Sequence, residues 1–170
     1  PLPRVSIIDM REQLKKGNRL ALSLELREDL SQCLKKGEQA MLFLNRRGYA
    51  GFVSCRSCGH VMKCPHCDVS LSEHNGRKLI CHYCGYETVK PDKCPVCSSP
   101  YIGGFKAGTQ QIQQVVEKEF PEARVLRMDY DTTRAKGSYE KILSAFSRHE
   151  ADILIGTQMI VKGHDFPDVT

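Results

Sequence analysis

At 170 residues the chain has room for one mid-sized domain or a domain with an insert, and no stretch approaches the roughly eighteen apolar residues of a membrane-spanning helix. Its composition is ordinary for a soluble protein apart from nine cysteines, and its formal charge of +5 counts all of them as neutral. Net charge alone therefore neither establishes nor excludes a nucleic-acid partner. A basic surface would have to come from the local clusters Lys15-Lys16, Lys35-Lys36, Arg46-Arg47 or Arg77-Lys78, each of which also reads as a solvated face.

In chain order, Val5-Ser6-Ile7-Ile8 has the look of a short strand, and Lys15-Lys16-Gly17-Asn18 that of a turn. A helix is predicted from near Ser23, with Leu26, Leu30, Cys33 and Leu34 on one stripe and a stop at Gly37. Cys33, on that stripe, reads as a core residue. Ala40 to Leu44 is a continuous apolar run of strand length, as expected for a strand covered on both faces. After the cysteine-rich stretch, Thr109 is placed to cap a helix carrying Ile112, Val115, Val116 and Phe120, which Pro121 ends. Ala123 to Met128 reads as a second strand, Ser138 as the cap of a helix bearing Tyr139, Ile142, Leu143 and Phe146, and Asp152 to Gly156 as a third strand. Strands alternating with helices predict an α/β fold, a three-layer parallel sheet interrupted by an insert. The expected division is 1–54 for the first part of the α/β domain, 55–100 for the insert and 101–170 for the remainder. Asn45 to Tyr49, Asp129 to Thr133 and Gly156 to Gln158 would share the carboxyl edge of the sheet, where ligands bind in such folds. The absence of a methionine at Pro1 sets the expectation of an excised piece.

The insert holds the strongest chemical signal: Cys55/Cys58, Cys64/Cys67, Cys81/Cys84 and Cys94/Cys97, four CxxC pairs. Two thiolates so spaced grip one face of a tetrahedral metal, so four pairs imply two ions. Closed four-thiolate sites suit structural zinc or an iron–sulfur centre, and two structural zinc ions are expected. With eight thiolates ligating two zinc ions the net charge falls to about +1. Four pairs can combine in three ways. Thirteen residues separate Cys67 from Cys81, including Val69 to Leu71, a turn at His74-Asn75-Gly76, and Leu79-Ile80, which reads as a hairpin with a knuckle at each end. This favours a zinc-ribbon-like site of Cys64, Cys67, Cys81 and Cys84 nested inside one of Cys55, Cys58, Cys94 and Cys97. Sequential pairing, across only the five residues between Cys58 and Cys64, ranks below it, and an interleaved pairing stays open. Gly59 and Gly85 follow the second cysteine of their pairs, where positive φ relieves crowding. His60, His66, His74 and His82 are read as solvent or partner-contact groups rather than ligands. No apolar leader precedes the cysteines, so a reduced, cytoplasmic protein is expected rather than a disulfide scaffold.

The last segment, Ile155 to Pro167, places small residues, Thr157 and Asp165 after a buried strand, where backbone N–H groups and a hydroxyl can meet a phosphate and Gly163 permits close approach. With a parallel α/β lobe before it, this segment resembles motif V of the second RecA-like lobe of superfamily 2 helicases. Phe43 to Tyr49, the four CxxC pairs, Asp131-Thr132-Thr133-Arg134, and Ile155 to Met159 through Lys162 to Pro167 together resemble the bacterial primosomal replication-restart helicases, over essentially the whole chain. The resemblance implies an ATP-dependent DNA helicase moving 3′ to 5′ that recognises forked or single-stranded DNA and works with other primosome and replication proteins, as a monomer and without a membrane. It further implies that Thr157 contacts the DNA backbone, that Arg46 and Arg47 face DNA, and that Gly163 and Asp165 lie near the nucleotide. Arg77, Lys78, His82, Tyr83 and Tyr86 are candidates for a surface on the zinc module, where aromatics beside basic residues suit stacking on bases. Tyr83 and Tyr86 could equally pack the small ribbon.

No phosphate loop, acidic magnesium motif or arginine-bearing motif VI is present, so no catalytic residue is assigned and no ATP hydrolysis is expected of this stretch by itself; ATP and Mg2+ would belong to the longer protein. Two other readings compete. One is a non-enzymatic zinc-ribbon module binding DNA or protein. The other is an iron–sulfur electron carrier, which would be coloured and hold iron.

Overall fold

The computed structural model describes residues 4–45, 52–75, 77–104, 108–160 and 166–169. Along them run α1 (Met10–Lys15), α2 (Leu24–Lys35), β1 (Ala40–Phe43), β2 (Val53–Cys55), β3 (Ser72–His74), β4 (Lys78–Ile80), β5 (Glu87–Val89) and β6 (Ile102–Gly104). There follow α3 (Thr109–Glu119), β7 (Val125–Met128), α4 (Ser138–Ser147), β8 (Ile153–Gly156) and a single 3₁₀ turn at Gln158–Ile160. The chain divides into two compact units: 1–19 with 48–106, and 20–47 with 107–170.

The second unit is the α/β part. Its sheet runs β1-β8-β7, all parallel, with Ala40 and Val125 both in register with Ile153. Alternation along β8 sends Ile153 and Ile155 into a cluster with Leu30 and Cys33 of α2 and Ile112 and Val116 of α3. Leu154, between them, joins Met128, Leu143 and Phe146 in a second cluster that includes α4. Burial on both faces explains why β8 is apolar throughout. The helix signals at Ser23 and Gly37 hold: the Ser23 hydroxyl accepts from the Leu26 N–H at 3.0 Å, and Gly37, at φ 72°, lets the Glu38 N–H reach back to the Cys33 carbonyl.

Three local expectations outside the cysteine-rich stretch change. Val5 to Ile8 forms no strand, and Val5 and Ile7 are exposed; the regular element there is α1, capped by the Asp9 carboxylate on the Arg11 N–H at 2.9 Å. Gly108, not Thr109, caps α3, which frees the Thr109 hydroxyl to donate to Asp129 at the end of β7. Gly137, at φ 79°, precedes α4 in place of a Ser138 cap.

The first unit has little regular structure. Strands β3, β4 and β5 form an antiparallel sheet, and β2 pairs antiparallel with β6. The hairpin exists, but its first strand is Ser72–His74, later than Val69 to Leu71, so His74 lies in the strand and the turn falls at Asn75, φ 48°. Its apolar core is Val53, Leu71, Leu79 and Ile102, packed with Cys55, Cys64, Cys81 and Cys94. Glu73 links the strands: its carboxylate, almost fully buried, accepts from Lys90 Nζ at 2.7 Å and from the Gly104 N–H at 3.0 Å.

Gly156 closes β8 at a tight point. A Cβ there would lie 2.5 Å from Ile160 Cγ2 and 2.7 Å from the Met128 carbonyl oxygen, the latter a backbone atom that cannot swing aside. Gly156→Ala is expected to destabilise the α/β unit by about 1–3 kcal/mol, seen as a lower urea midpoint for its unfolding with an unchanged slope.

Candidate metal centres

Each CxxC pair builds the same turn. The N–H groups of Gly59, Asp68, Gly85 and Ser98 bond to the carbonyls of Cys55, Cys64, Cys81 and Cys94 at 2.9 to 3.0 Å. The N–H groups of those same four cysteines bond to the carbonyls of His60, Val69, Tyr86 and Ser99 at 2.8 Å. All four residues just after a pair have positive φ: Gly59 81°, Asp68 54°, Gly85 76° and Ser98 57°. Glycine marks two of these positions in the sequence; Asp68 and Ser98 are tolerated in the same left-handed geometry without announcing it.

The four turns meet in two groups, Cys55/Cys58/Cys94/Cys97 and Cys64/Cys67/Cys81/Cys84, with all sulfurs of a group within 4.8 Å of one another. This is the nested arrangement. Sγ separations are 3.6 Å for Cys55 to Cys97, 3.7 Å for Cys58 to Cys94 and 3.6 Å for Cys64 to Cys84. Four sulfurs at about 2.3 Å from one tetrahedral zinc lie about 3.8 Å apart, whereas a disulfide closes to about 2.05 Å. All nine cysteines are free thiols. The donor sets fit two zinc ions, each held by four sulfurs with no position left for substrate, so each would supply a cross-link and no chemistry.

Backbone N–H groups aim at the sulfurs. At Cys55 burial pushes the thiol up, but the N–H groups of Cys58 and Ser57 and the sulfurs of Cys97 and Cys58 outweigh it and bring it down to about 6. At Cys81 the Cys84 N–H leads, and with that of Tyr83 it overcomes burial to give about 7. The other members bear the opposite consequence. The Cys84 sulfur, burial and the Cys64 sulfur push Cys67 up to about 12. The Ser99 N–H favours the Cys97 thiolate, yet burial and the sulfurs of Cys58, Cys55 and Cys94 carry it to about 12. Four adjacent thiols cannot all ionise by themselves; a dication at the centre is what makes four thiolates compatible.

The family description "PriA DNA helicase Cys-rich region (CRR) domain" matches residues 64–88, which hold the inner sulfur group and all of the β3-β4-β5 sheet but Val89. The replication restart protein PriA of Bacillus subtilis (strain 168) is 56% identical over 170 residues, 99% of this chain and 21% of the relative. The Synechocystis protein of the same name is 50% identical over 175 residues, covering 100% of this chain and 21% of its own, and that of Chlamydia muridarum is 43% identical over 171 residues, covering 98% and 23%. The chain belongs to the PriA family. It spans about a fifth of the length of these relatives.

The remaining residues singled out by sequence fall in different settings. Arg46, Arg47, Gly163 and Asp165 lie outside the described residues. Thr157 directly follows β8 and is half-buried, its carbonyl accepting from the Ile160 N–H at 3.0 Å. Beside it on the carboxyl edge, Asp129 is held by the Thr109 hydroxyl and by the Thr132 N–H at 3.0 Å. Burial pushes its carboxyl up, but those donors and Arg127 keep it below the usual carboxylate range. Thr109 and Asp129 thus fasten α3 to β7, a role the sequence did not single out.

On the zinc unit, Arg77 pairs with Asp92 at 2.9 Å and Lys78 with Glu87 at 2.6 Å, which offsets both basic charges locally. Tyr86 is half-buried against the core, edge-on to His66 with ring centroids 5.3 Å apart, so it packs the ribbon. Tyr83, 83% exposed, remains available for contact. His82 meets His74 rather than standing free.

Gly85→Ala, where a Cβ would meet nothing within 4 Å but φ is 76°, is expected to cost about 1–2 kcal/mol and to speed zinc loss to a chelator roughly 5- to 30-fold. Gly103→Ala, in β6 with open space and ordinary φ, is the control expected to lose zinc at the original rate. Full chelation is expected to abolish amide protection in β2 to β6 while β1, β7 and β8 keep theirs, since the two units bury separate clusters. Hydrogen exchange read by mass spectrometry checks this, and simultaneous loss in both units would contradict it.

Proposed function

We propose that the chain is part of an ATP-dependent 3′-to-5′ DNA helicase that recognises forked DNA and restarts replication by assembling other primosome and replication proteins. The observation that carries this reading is the span of the similarity: relatives named replication restart protein PriA align over 98% to 100% of the chain, α/β unit and cysteine-rich unit together, not over the zinc-binding residues alone. The matching family description itself contains the word helicase.

Within this proposal, the second RecA-like lobe, expected from sequence over 1–54 and 101–170, is centred on the α/β unit of 20–47 and 107–170, and the zinc-binding insert, expected over 55–100, takes in the β2-β6 pair at its base. A parallel sheet with loops gathered at its carboxyl edge is the architecture such a lobe requires. The segment Gly156 to Asp165 acts as motif V: Thr157 meets the DNA backbone, Gly163 and Asp165 sit by the nucleotide, and Arg46 and Arg47 face DNA. The two zinc ions are structural. ATP and Mg2+ are bound by the longer protein, a cytoplasmic monomer, and this stretch by itself hydrolyses no ATP because it lacks the lysine loop, the acidic metal-binding motif and the transition-state arginine.

ATP hydrolysis by the longer protein, measured without DNA, with linear duplex and with forked DNA at one salt concentration, tests the proposal. Stimulation by the fork, lost in Thr157→Ala and Asp165→Asn with zinc content intact, is expected. No hydrolysis under any condition would leave the cysteine-rich unit as a binding module in its own right.

A further inference from the structure

The zinc unit carries a second donor arrangement outside both sulfur groups. His74, the last residue of β3, and His82, inside the Cys81/Cys84 turn, bring their Nε2 atoms to 3.1 Å, with ring centroids 5.0 Å apart and planes at 64°. Both positions are fixed by backbone structure. His74 is in register with Lys78 across the hairpin, and His82 sits in a turn pinned by the Gly85 N–H on the Cys81 carbonyl. Lys78 is engaged by Glu87 at 2.6 Å, which offsets the nearest hairpin cation. His82 is exposed and His74 half-buried, so the pair is open to solvent on one side.

We propose that His74 and His82 form a two-histidine site for a divalent transition ion that prefers nitrogen ligands, nickel or copper in chemical class. Two nitrogens 3.1 Å apart subtend about 95–100° at an ion about 2.05 Å from each, close to the right angle between neighbouring ligands of a tetragonal or octahedral centre. The alternative use of the same geometry is an N–H to N hydrogen bond between the imidazoles. Among the described residues no third His, Cys, Asp or Glu ligand atom joins the pair within 4.8 Å, so the other coordination positions belong to water or to a ligand from outside. A bound ion would tie the hairpin to the knuckle of the inner sulfur group. The proposal does not depend on the helicase reading.

The test uses zinc-loaded protein and nickel chloride, since nickel(II), unlike copper(II), does not readily oxidise thiolates. Equilibrium dialysis with elemental analysis of both metals, together with paramagnetic broadening of histidine side-chain resonances, reads the site. About one nickel per chain in addition to two zinc is expected, with broadening confined to His74 and His82. His74→Gln and His82→Gln should each weaken nickel binding roughly tenfold or more, and His60→Gln should leave it unchanged. His74 lies outside every cysteine turn, so its variant decides the matter even where His82→Gln disturbs zinc. No nickel above background, binding unchanged in His74→Gln, or nickel taken up only as zinc leaves would each overturn the proposal and leave the pair as a hydrogen bond.

Discussion

The first unit depends on one constraint: eight sulfurs gathered into two groups of four. Its five strands have three residues each, and half of its core residues are cysteines. Four fully apolar side chains, Val53, Leu71, Leu79 and Ile102, are too few to offset the backbone entropy of ordering such a segment. Ligation of the two zinc ions that the sulfur groups fit would supply the missing stabilisation, and the repeated knuckle is the device that would deliver it. Each turn closes on its own carbonyls, and those at Cys55, Cys81 and Cys97 also point N–H groups at sulfur, so a knuckle is shaped before an ion unites it with another.

Nesting decides how such a unit can sit within a longer chain. The inner group closes the ribbon on itself. The outer group joins Cys55, at the end of β2, to Cys94 and Cys97, just before β6, and β2 and β6 pair directly. The chain therefore leaves the unit beside the point where it came in, which is the geometry an insertion into another fold requires. Glu73 completes the arrangement by joining the ribbon to β6 through the Gly104 N–H and to the residue after β5 through Lys90.

In the α/β unit the organising contact is the central strand β8. Its alternate side chains feed two separate clusters, and its last residue has no space for a side chain because the Met128 carbonyl and Ile160 close over it. The residue that follows, Thr157, is thereby placed at the carboxyl edge next to the network that Asp129 builds with Thr109, Thr132 and Thr133. Tight packing at Gly156 and a hydrogen-bonded β7 end make this edge a fixed platform.

Much of this was legible in the sequence because it is local. Apolar runs gave β1, β7 and β8, a capping serine and a left-handed glycine bounded α2, and CxxC spacing picked out all eight cysteines of the two sulfur groups. The nested grouping was favoured by spacing, but only the fold separated it from the interleaved arrangement, since which sulfurs meet depends on where the hairpin carries them. Tertiary structure also decided what local pattern could not carry. A left-handed backbone at Asp68 and Ser98 has no residue marker, and β5 and the β2-β6 pair are too short for periodicity to register. Arg77 and Lys78 read as a basic patch until the fold set Asp92 and Glu87 beside them. The Glu73 link, the Thr109 to Asp129 bond and the His74 to His82 contact join residues eight to thirty-one positions apart. The amino-acid sequence by itself determined the two four-cysteine donor sets and the order of α2, β1, α3, β7, α4 and β8, because ligand type and hydrophobic period are written residue by residue. Side-chain partners and the close approach at Gly156 arise only when distant segments share one volume.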